Sequence, residues 1–137
     1  MAKNFDFIKK LRETGLRPTR QRVKICKLLY NRETTFHFTI NDLVKKISEE
    51  VDEKISLATV YNTVHALKTK GYLKEISINT DRSYFDTNIS HHHHFFDKST
   101  EELIDLSDED VEKIQINKSL LGKKISSVEI LVKVESE

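Results

Sequence analysis

The sequence predicts an α+β fold in which a winged helix-turn-helix over residues 1–85 is followed by a small α/β domain over residues 86–137. Three observations predict it: a series of short amphipathic helix patterns, a hairpin pattern directly after them, and a change of charge along the chain. The first part carries 17 Lys and Arg against 10 Asp and Glu, whereas the second carries 6 against 12. A basic part joined to an acidic part is typical of a nucleic-acid-binding domain linked to a regulatory or assembly domain.

Size and composition exclude several classes of protein. The 137 residues suit one domain or two small ones and are too few for a TIM barrel or a full doubly wound sheet. Because Cys26 is the single Cys, neither an internal disulfide nor a Cys-based zinc finger can form. The chain has no run of about 18 apolar residues, and its amino terminus lacks the apolar stretch of a signal peptide. We therefore expect a cytoplasmic protein that does not associate with membranes.

Three helix patterns open the first part. The first ends at Gly15, which suits a helix C-terminus, and its apolar stripe consists of Phe5, Ile8 and Leu11. The second covers residues 20–31, directly after Thr19. The third starts at Thr39, with Asp42 at the distance of a capping box. We expect these helices to form the framework of the winged helix-turn-helix.

A fourth helix pattern runs from Ser56 to Gly71, and two strand patterns separated by a polar turn at residues 79–81 follow it. In a winged helix-turn-helix, this fourth helix would enter the major groove of DNA. Its polar side chains can hydrogen-bond bases and phosphates, and they are Ser56, Thr59, Tyr61, Asn62, His65, Lys68 and Lys70.

The second part alternates between strand and helix patterns. Strands are predicted over residues 91–96 and 103–106, and a helix is predicted to begin at Ser107, where a hydroxyl cap precedes acidic residues. Alternating apolar and polar residues over 128–135 predict a final strand. About 50 residues of this kind bury little apolar surface alone, whereas pairing with a second copy would cover the free strand edge and the apolar face. We therefore expect a homodimer.

The run His91–His94 is the strongest chemical signal in the sequence. In a regular strand, His92 and His94 point to one face and His91 and His93 to the other, and Asp86 shares the parity of the first pair. Imidazole nitrogens and carboxylates without sulfur suit Fe(II), Mn(II), Co(II) or Zn(II), and neutral imidazole is also an axial ligand of haem. A solvated polar strand is the alternative interpretation. One strand does not close a metal site, so further ligands must come from elsewhere.

Two stretches resemble signatures of the ferric uptake regulator family of repressors. GLRPTRQR over residues 15–22 resembles the amino-terminal signature of the family, and SLATVYNTV over residues 56–64 resembles its recognition helix. The histidine run falls where the family has a metal-binding segment, and the likeness extends over nearly the whole chain. The resemblance implies a homodimeric winged-helix repressor that binds a double-stranded DNA operator.

The resemblance also implies roles for individual residues. It implies a metal sensor site that bridges the two domains and consists of His37, Asp86, His92, His94 and Asp105. The candidates for haem binding are His91, His92, His93 and His94. Contacts to DNA are implied for Arg17, Thr19, Arg20, Arg22, Ser56, Thr59, Tyr61, Asn62 and His65. The arginines would hold the DNA backbone or minor groove, and Tyr61, Asn62 and His65 would approach the bases.

The sequence departs from the family pattern in its cysteines. The positions of the first zinc-binding CxxC pair carry Asp97 and Thr100, and the tail has no Cys, so we expect no structural Cys-bound zinc. In its missing cysteines and in the segment 85–88 before the histidine run, the sequence resembles the iron response regulator branch of the family, which responds to haem. Cys26 is followed by Lys27 and not by the Pro of a Cys-Pro haem motif, so haem binding would rest on the histidines.

We predict a sequence-specific DNA-binding regulator, mainly a repressor, of iron and haem metabolism genes that is controlled by haem or iron. The alternative is a repressor of metal uptake or peroxide-stress genes that is activated by a divalent metal. An enzyme is not expected, because the sequence contains no nucleophile elbow, Gly-rich phosphate loop or HExxH motif. The basic first part argues against a metal buffer or haem carrier without DNA binding.

Overall fold

The computed structural model describes residues 4–137, with side chains from Asp6 onward, and the chain divides into two units after Ile89. The first unit contains the α-helices and a three-stranded sheet, and the second contains another three-stranded sheet. The α+β class predicted from the sequence is confirmed. The predicted domain boundary after residue 85 falls inside the last strand of the first sheet.

The helices of the first unit are α1 (Asn4–Glu13), α2 (Arg20–Tyr30), α3 (Ile40–Glu50) and α4 (Leu57–Thr69). Hydroxyl side chains cap three of them, because Thr19, Thr39 and Ser56 each accept a backbone N–H of the first turn. The predicted capping box between Thr39 and Asp42 is confirmed. Phe5, predicted on the apolar stripe of the first helix, lies outside the described side chains. Within residues 4–137, no helix has both the length and the apolar character needed to cross a bilayer.

An apolar core fixes the position of α4 in the first unit. Leu11 of α1, Ile25 and Leu29 of α2, and Val64 and Leu67 of α4 are completely buried. Burying a side chain of this kind contributes about 1.5–3 kcal/mol, so the core outweighs the exposed ion pairs of this unit. The polar face of α4 is therefore held outward by the burial of its opposite face.

The first sheet consists of β1 (His37–Phe38), β2 (Lys74–Asn79) and β3 (Arg82–Asp86), in the order β1-β3-β2. The predicted hairpin is formed by β2 and β3, and its turn needs no Gly because Asn79 Oδ1 accepts the N–H of Asp81 at 2.9 Å. The sequence does not predict β1. A two-residue strand has no periodicity that a sequence pattern can reveal, and it forms only by pairing antiparallel with β3.

The second sheet consists of β4 (His93–Asp97), β5 (Glu102–Leu106) and β6 (Leu131–Val134), in the order β5-β4-β6. β4 pairs antiparallel with β5 and parallel with β6. The strand predicted over residues 91–96 thus begins two residues later, at His93. The final strand is also shorter than the predicted range of 128–135.

The helix predicted to begin at Ser107 is wrong. The Ser107 hydroxyl accepts the N–H of Glu109 at 3.0 Å, but the capped segment is a single 3₁₀ turn over Asp108–Asp110. Residues 111–130 form neither helix nor strand, and their exposed apolar side chains include Leu120, Leu121 and Ile125. Helices in proteins owe most of their stability to packing of an apolar face. That packing is absent in the described chain, so the N-terminal signal alone does not extend the helix.

Hydrogen bonds close the turn between β4 and β5 and join it to the end of the chain. Asp97 Oδ1 accepts the N–H of Ser99 at 2.8 Å and that of Thr100 at 3.3 Å. The Ser99 hydroxyl oxygen accepts the N–H of Ser136 at 2.9 Å. These contacts involve the two positions at which zinc-binding cysteines occur in the family that the sequence resembles, and they require no cysteine ligand.

Chelation of divalent metal should therefore leave the second unit folded, with an unchanged far-UV circular dichroism spectrum. Replacing Ser99 by Ala removes the acceptor for Ser136 and should lower the melting temperature by about 4 °C, equivalent to about 1 kcal/mol, with or without chelator. The matched control is Ser126→Ala at an exposed loop position, which should melt like the unmodified protein. Unfolding on chelation alone would assign the metal a structural role.

Candidate metal centre and nucleic-acid interface

His92 and His94 lie on one face beside Asp105, as the parity of the strand predicts. His94 of β4 is directly opposite Asp105 of β5. The Nε2 atoms of His92 and His94 each lie 3.5 Å from Asp105 Oδ1, and their ring centroids are 4.4 Å apart. Both imidazoles are buried, whereas the side chain of Asp105 is 55% exposed. Three potential ligand atoms therefore converge at a point that solvent can reach.

The distances from Asp105 Oδ1 to the two Nε2 atoms fit a shared cation. Ligand atoms about 2.1 Å from one ion lie about 3.0–3.6 Å apart at ligand angles of about 90–120°, whereas a charge-assisted hydrogen bond is shorter, at about 2.8 Å. The Nδ1–H of His92 donates to the carbonyl of Ser90 at 2.8 Å, which leaves the Nε2 lone pair directed towards Asp105. Histidine ligands of metals are typically oriented by such a backbone partner. We call His92, His94 and Asp105 the Asp105 group. Their nitrogen and oxygen ligand atoms suit Fe(II), Mn(II) and Zn(II).

The other two predicted ligands lie together in the first unit. His37 of β1 is directly opposite Asp86 of β3 in the antiparallel ladder. Asp86 is 1% exposed, and its Oδ1 accepts the N–H of Asn88 at 2.9 Å. The structure thus brings this His and Asp into one pair, which the sequence pattern alone could not do because it contains no signal for β1.

The second pair of histidines contacts a carboxylate that the sequence analysis did not nominate. His93 Nε2 lies 2.8 Å from Asp108 Oδ1, and His91 Nδ1 lies 3.2 Å from Asp108 Oδ2. The sequence pattern marks Asp108 only as an acidic residue at the start of a helix. The sequence signal that could have pointed to Asp108 is the alternation of side chains along the strand. It places His91 and His93 on a second face, where their imidazoles need a polar partner.

In this second cluster, the Asp108 cluster, both ring nitrogens of His93 and the Nε2 of His91 have defined hydrogen-bond partners. His93 Nδ1 accepts the N–H of Ile130 at 3.1 Å, so its Nε2 carries the proton and donates to Asp108. His91 Nε2 donates to the carbonyl of Val128 at 2.9 Å. The hydrogen bond from His93, and then that from His91, holds the pKa of Asp108 below its usual value. The cluster therefore ties the segment before β6 to β4, and its chemistry differs from that of the Asp105 group.

The residues of α4 implied in DNA contact have two kinds of environment. Tyr61 is 51% exposed and Asn62 is also exposed, whereas His65 is partly covered. Ser56 and Thr59 shape the start of the helix, because Ser56 Oγ accepts the N–H of Thr59 and lies 2.9 Å from its hydroxyl oxygen. Tyr61 and Asn62 thus present exposed side-chain surface on the outer face of α4.

The arginines near α2 also differ from one another. Arg17 is exposed, and the side chain of Arg20 is 77% exposed although its Nε lies 3.6 Å from Glu53. Arg22 is partly buried, and its Nη1 donates to the carbonyl of Arg17 at 2.9 Å. Thr19 accepts the N–H of Arg22 as the cap of α2. Arg17 and Arg20 can therefore reach phosphates, whereas Arg22 and Thr19 stabilise the turn that presents them.

Cys26 lies in the core and is completely buried. Burial raises the pKa of its thiol to about 12. Because the thiolate is both the nucleophile and the metal ligand, native protein should not react with an aromatic disulfide reagent near pH 8. Reaction should appear only on unfolding, and Cys26→Ser should leave the absorption spectrum of added cobalt or haem unchanged. Rapid labelling of native protein would contradict this placement.

Comparisons with known proteins agree with this arrangement. A family model described as the ferric uptake regulator family matches residues 13–133. The ferric uptake regulation protein of Campylobacter upsaliensis is 32% identical over 111 residues, which cover 80% of this chain and 70% of that protein. The peroxide-responsive repressor PerR of Staphylococcus aureus (strain Mu50 / ATCC 700699) is 32% identical over 98 residues, covering 72% and 64%.

A solved structure of the ferric uptake regulator from Pseudomonas aeruginosa with manganese is also similar. It has a TM-score of 0.71 and 25% sequence identity, and the match covers 96% of this chain and 98% of that one. Proteins of this family are transcription regulators and not enzymes, which confirms that part of the sequence prediction. Family model, sequence relatives and fold agree: the chain belongs to the ferric uptake regulator family of metal-responsive transcription regulators.

Proposed function

We propose that the protein is a homodimeric DNA-binding repressor whose affinity for its operator is set by a divalent cation. The observation that carries this proposal is the convergence of His92 Nε2 and His94 Nε2 on Asp105 Oδ1, each at 3.5 Å. His37 and Asp86 are proposed to supply the remaining ligands. Fe(II), Mn(II) and Zn(II) all suit these donors, and the similar P. aeruginosa regulator, whose structure was solved with manganese, supports a cation of this kind.

The chain connects the two sets of donors through a short segment. Six peptide steps separate Asp86 from His92, and so many residues span at most about 20 Å when fully extended. A bound cation supplies a shared positive charge that attracts carboxylates and imidazoles from both sets. The bound cation would therefore favour those arrangements of the two units in which all of these donors can coordinate it. This preference is the free energy that would couple cation binding to the affinity for DNA.

Haem is the effector implied by the resemblance to the iron response regulator branch. The hydrogen bonds of the Asp108 cluster argue against His91 and His93 as its axial ligands, because their ring nitrogens already have protein partners. His92 and His94 are buried. A small cation therefore suits the histidine segment better than a porphyrin. Because the chain is similar to the peroxide-responsive repressor PerR, the proposed targets include peroxide-stress genes as well as metal uptake genes.

A DNA-binding titration tests the proposal. The probe is the duplex that wild-type protein recovers from a randomised library, compared with a shuffled duplex of the same composition. Metal-free protein is titrated alone, with Mn²⁺, with Zn²⁺ and with haem. We expect a divalent cation to raise the affinity for the recovered duplex at least about tenfold, within the usual range of coupling free energies. A response to haem alone would overturn the proposal that a divalent cation is the effector and would favour haem instead. If the protein bound no duplex selectively under any condition, the proposal that it is a DNA-binding repressor would be overturned.

Two variants test the proposed interface with DNA. Arg20→Ala should weaken binding to the recovered and shuffled duplexes equally and reduce the slope of log affinity against log salt by about 0.9, because one phosphate contact is lost. Asn62→Ala should instead reduce discrimination between the duplexes by roughly 1–3 kcal/mol if its amide pairs with a base edge through two hydrogen bonds. Fluorescence anisotropy over a range of salt measures both effects. Equal losses on both duplexes for Asn62→Ala would contradict base reading by that residue.

A further inference from the structure

The rings of Tyr61 and His65 pack against each other as a tilted stack on the outer surface of α4. The residues are one helical turn apart, and their ring centroids lie 4.3 Å apart with an angle of 39° between the planes. Tyr61 is exposed, whereas His65 is partly covered. An exposed tyrosine on a helix samples several rotamers, and the stack favours the one in which the ring lies over its neighbour.

The core of the first unit supports His65 from the other side. The ring of Phe85 lies edge-on to His65, with a centroid distance of 6.1 Å and an interplanar angle of 76°. Phe85 is 3% exposed and stacks on Phe38 at 5.9 Å. His65 therefore lies between an exposed surface ring and two buried aromatic rings of the first sheet.

His65 also lines a groove between α4 and the β2–β3 hairpin. The groove has a volume of about 430 Å³, and Tyr61, Arg82 and Phe85 are among its other lining residues. A direct contact of the imidazole with DNA and a purely supporting role predict different results for variants that keep or remove the ring nitrogens.

We propose that His65 is a positioning residue for DNA recognition: its ring holds Tyr61 in the orientation that meets the bases and does not itself contact DNA. This inference rests on the proposed function, in which α4 reads DNA. Fixing the Tyr61 ring before binding lowers the entropy lost on complex formation. The resulting gain in affinity should be specific to the recovered duplex, because a preset orientation of the Tyr61 ring helps only where the ring meets its matching base.

The test compares Tyr61→Ala, His65→Ala, His65→Phe and the Tyr61→Ala/His65→Ala double variant, with Thr69→Ala at an exposed position of α4 as the control. Mn²⁺-loaded protein is titrated with the recovered and shuffled duplexes. We expect His65→Ala to lose roughly three- to tenfold of the discrimination, which is the range for an aromatic pair. His65→Phe should restore it, because Phe keeps the stack without a nitrogen. The double variant should lose no more than Tyr61→Ala alone.

A second readout uses free protein without metal or DNA. Ring-current shifts of the Tyr61 ring protons, measured by NMR, should change in His65→Ala and persist in His65→Phe. Additive losses in the double variant, or no rescue by Phe, would overturn the positioning role and assign His65 a contact of its own, while leaving the proposed function intact. Unchanged discrimination in Tyr61→Ala would overturn both base reading by Tyr61 and this inference.

Discussion

Replacing Asp105 by Ala will weaken Mn²⁺ binding by about 100-fold, and the additional change His92→Ala will abolish it. The reason is that Asp105 Oδ1 is the atom on which both imidazoles of the Asp105 group converge. Removing a group that hydrogen-bonds to a metal ligand typically costs about 10- to 100-fold in affinity, so loss of a direct ligand should cost at least the upper value of that range. Isothermal titration calorimetry measures the affinity, and the Mn²⁺-dependent gain in DNA affinity should fall with it.

Asp108→Ala is the matched control for this experiment. Asp105 and Asp108 are both exposed carboxylates paired with two histidines, with side-chain exposures of 55% and 63%. Because the nitrogens of His91 and His93 have protein partners, Asp108→Ala should change Mn²⁺ affinity by less than about threefold. Equal losses in Asp105→Ala and Asp108→Ala would show that both histidine pairs bind metal.

His93→Ala will destabilise the second unit by about 3 kcal/mol and lower its melting temperature by about 10 °C. His93 is 2% exposed, and its removal leaves the N–H of Ile130 without its acceptor. Ile130 is only partly buried, so its unpaired N–H should cost about 1 kcal/mol, and the cavity left by the buried ring adds about 2 kcal/mol. His91→Ala is the control, because that side chain is 43% exposed and should cost less than about 1 kcal/mol. Thermal unfolding of metal-free protein measures both.

The contribution of the Asp108 cluster should depend on pH. The hydrogen bonds from His93 and His91 lower the pKa of Asp108 from its ordinary value of 3.8. A carboxyl with a depressed pKa in the folded state stabilises the fold above its unfolded-state pKa and loses that effect as the pH falls through the folded-state value. The stability that Asp108 contributes is therefore present at neutral pH and is lost below about pH 4. A destabilisation by Asp108→Asn that was equal at pH 7 and pH 3 would contradict this.

Local signals predict much of the first unit. Hydroxyl caps at Thr19, Thr39 and Ser56 mark the starts of three helices, because capping is an interaction within one turn. The parity of the histidine run separates His92 and His94 from His91 and His93, and the structure shows two distinct clusters. The same kind of local reasoning fails at Ser107, where a good N-terminal cap is followed by one 3₁₀ turn only.

By itself, the sequence determined the fold class, the starts of three helices and the division of the histidines between two faces, because these follow from interactions between residues a few positions apart. Only the tertiary structure decided the partners of His91 and His93 and the register that places His37 opposite Asp86. His93 accepts its hydrogen bond from Ile130, 37 residues away, and His37 lies opposite Asp86 in a strand with no sequence signal of its own. Such contacts depend on how distant segments pack, and packing of an apolar face is also what a helix after Ser107 would have needed.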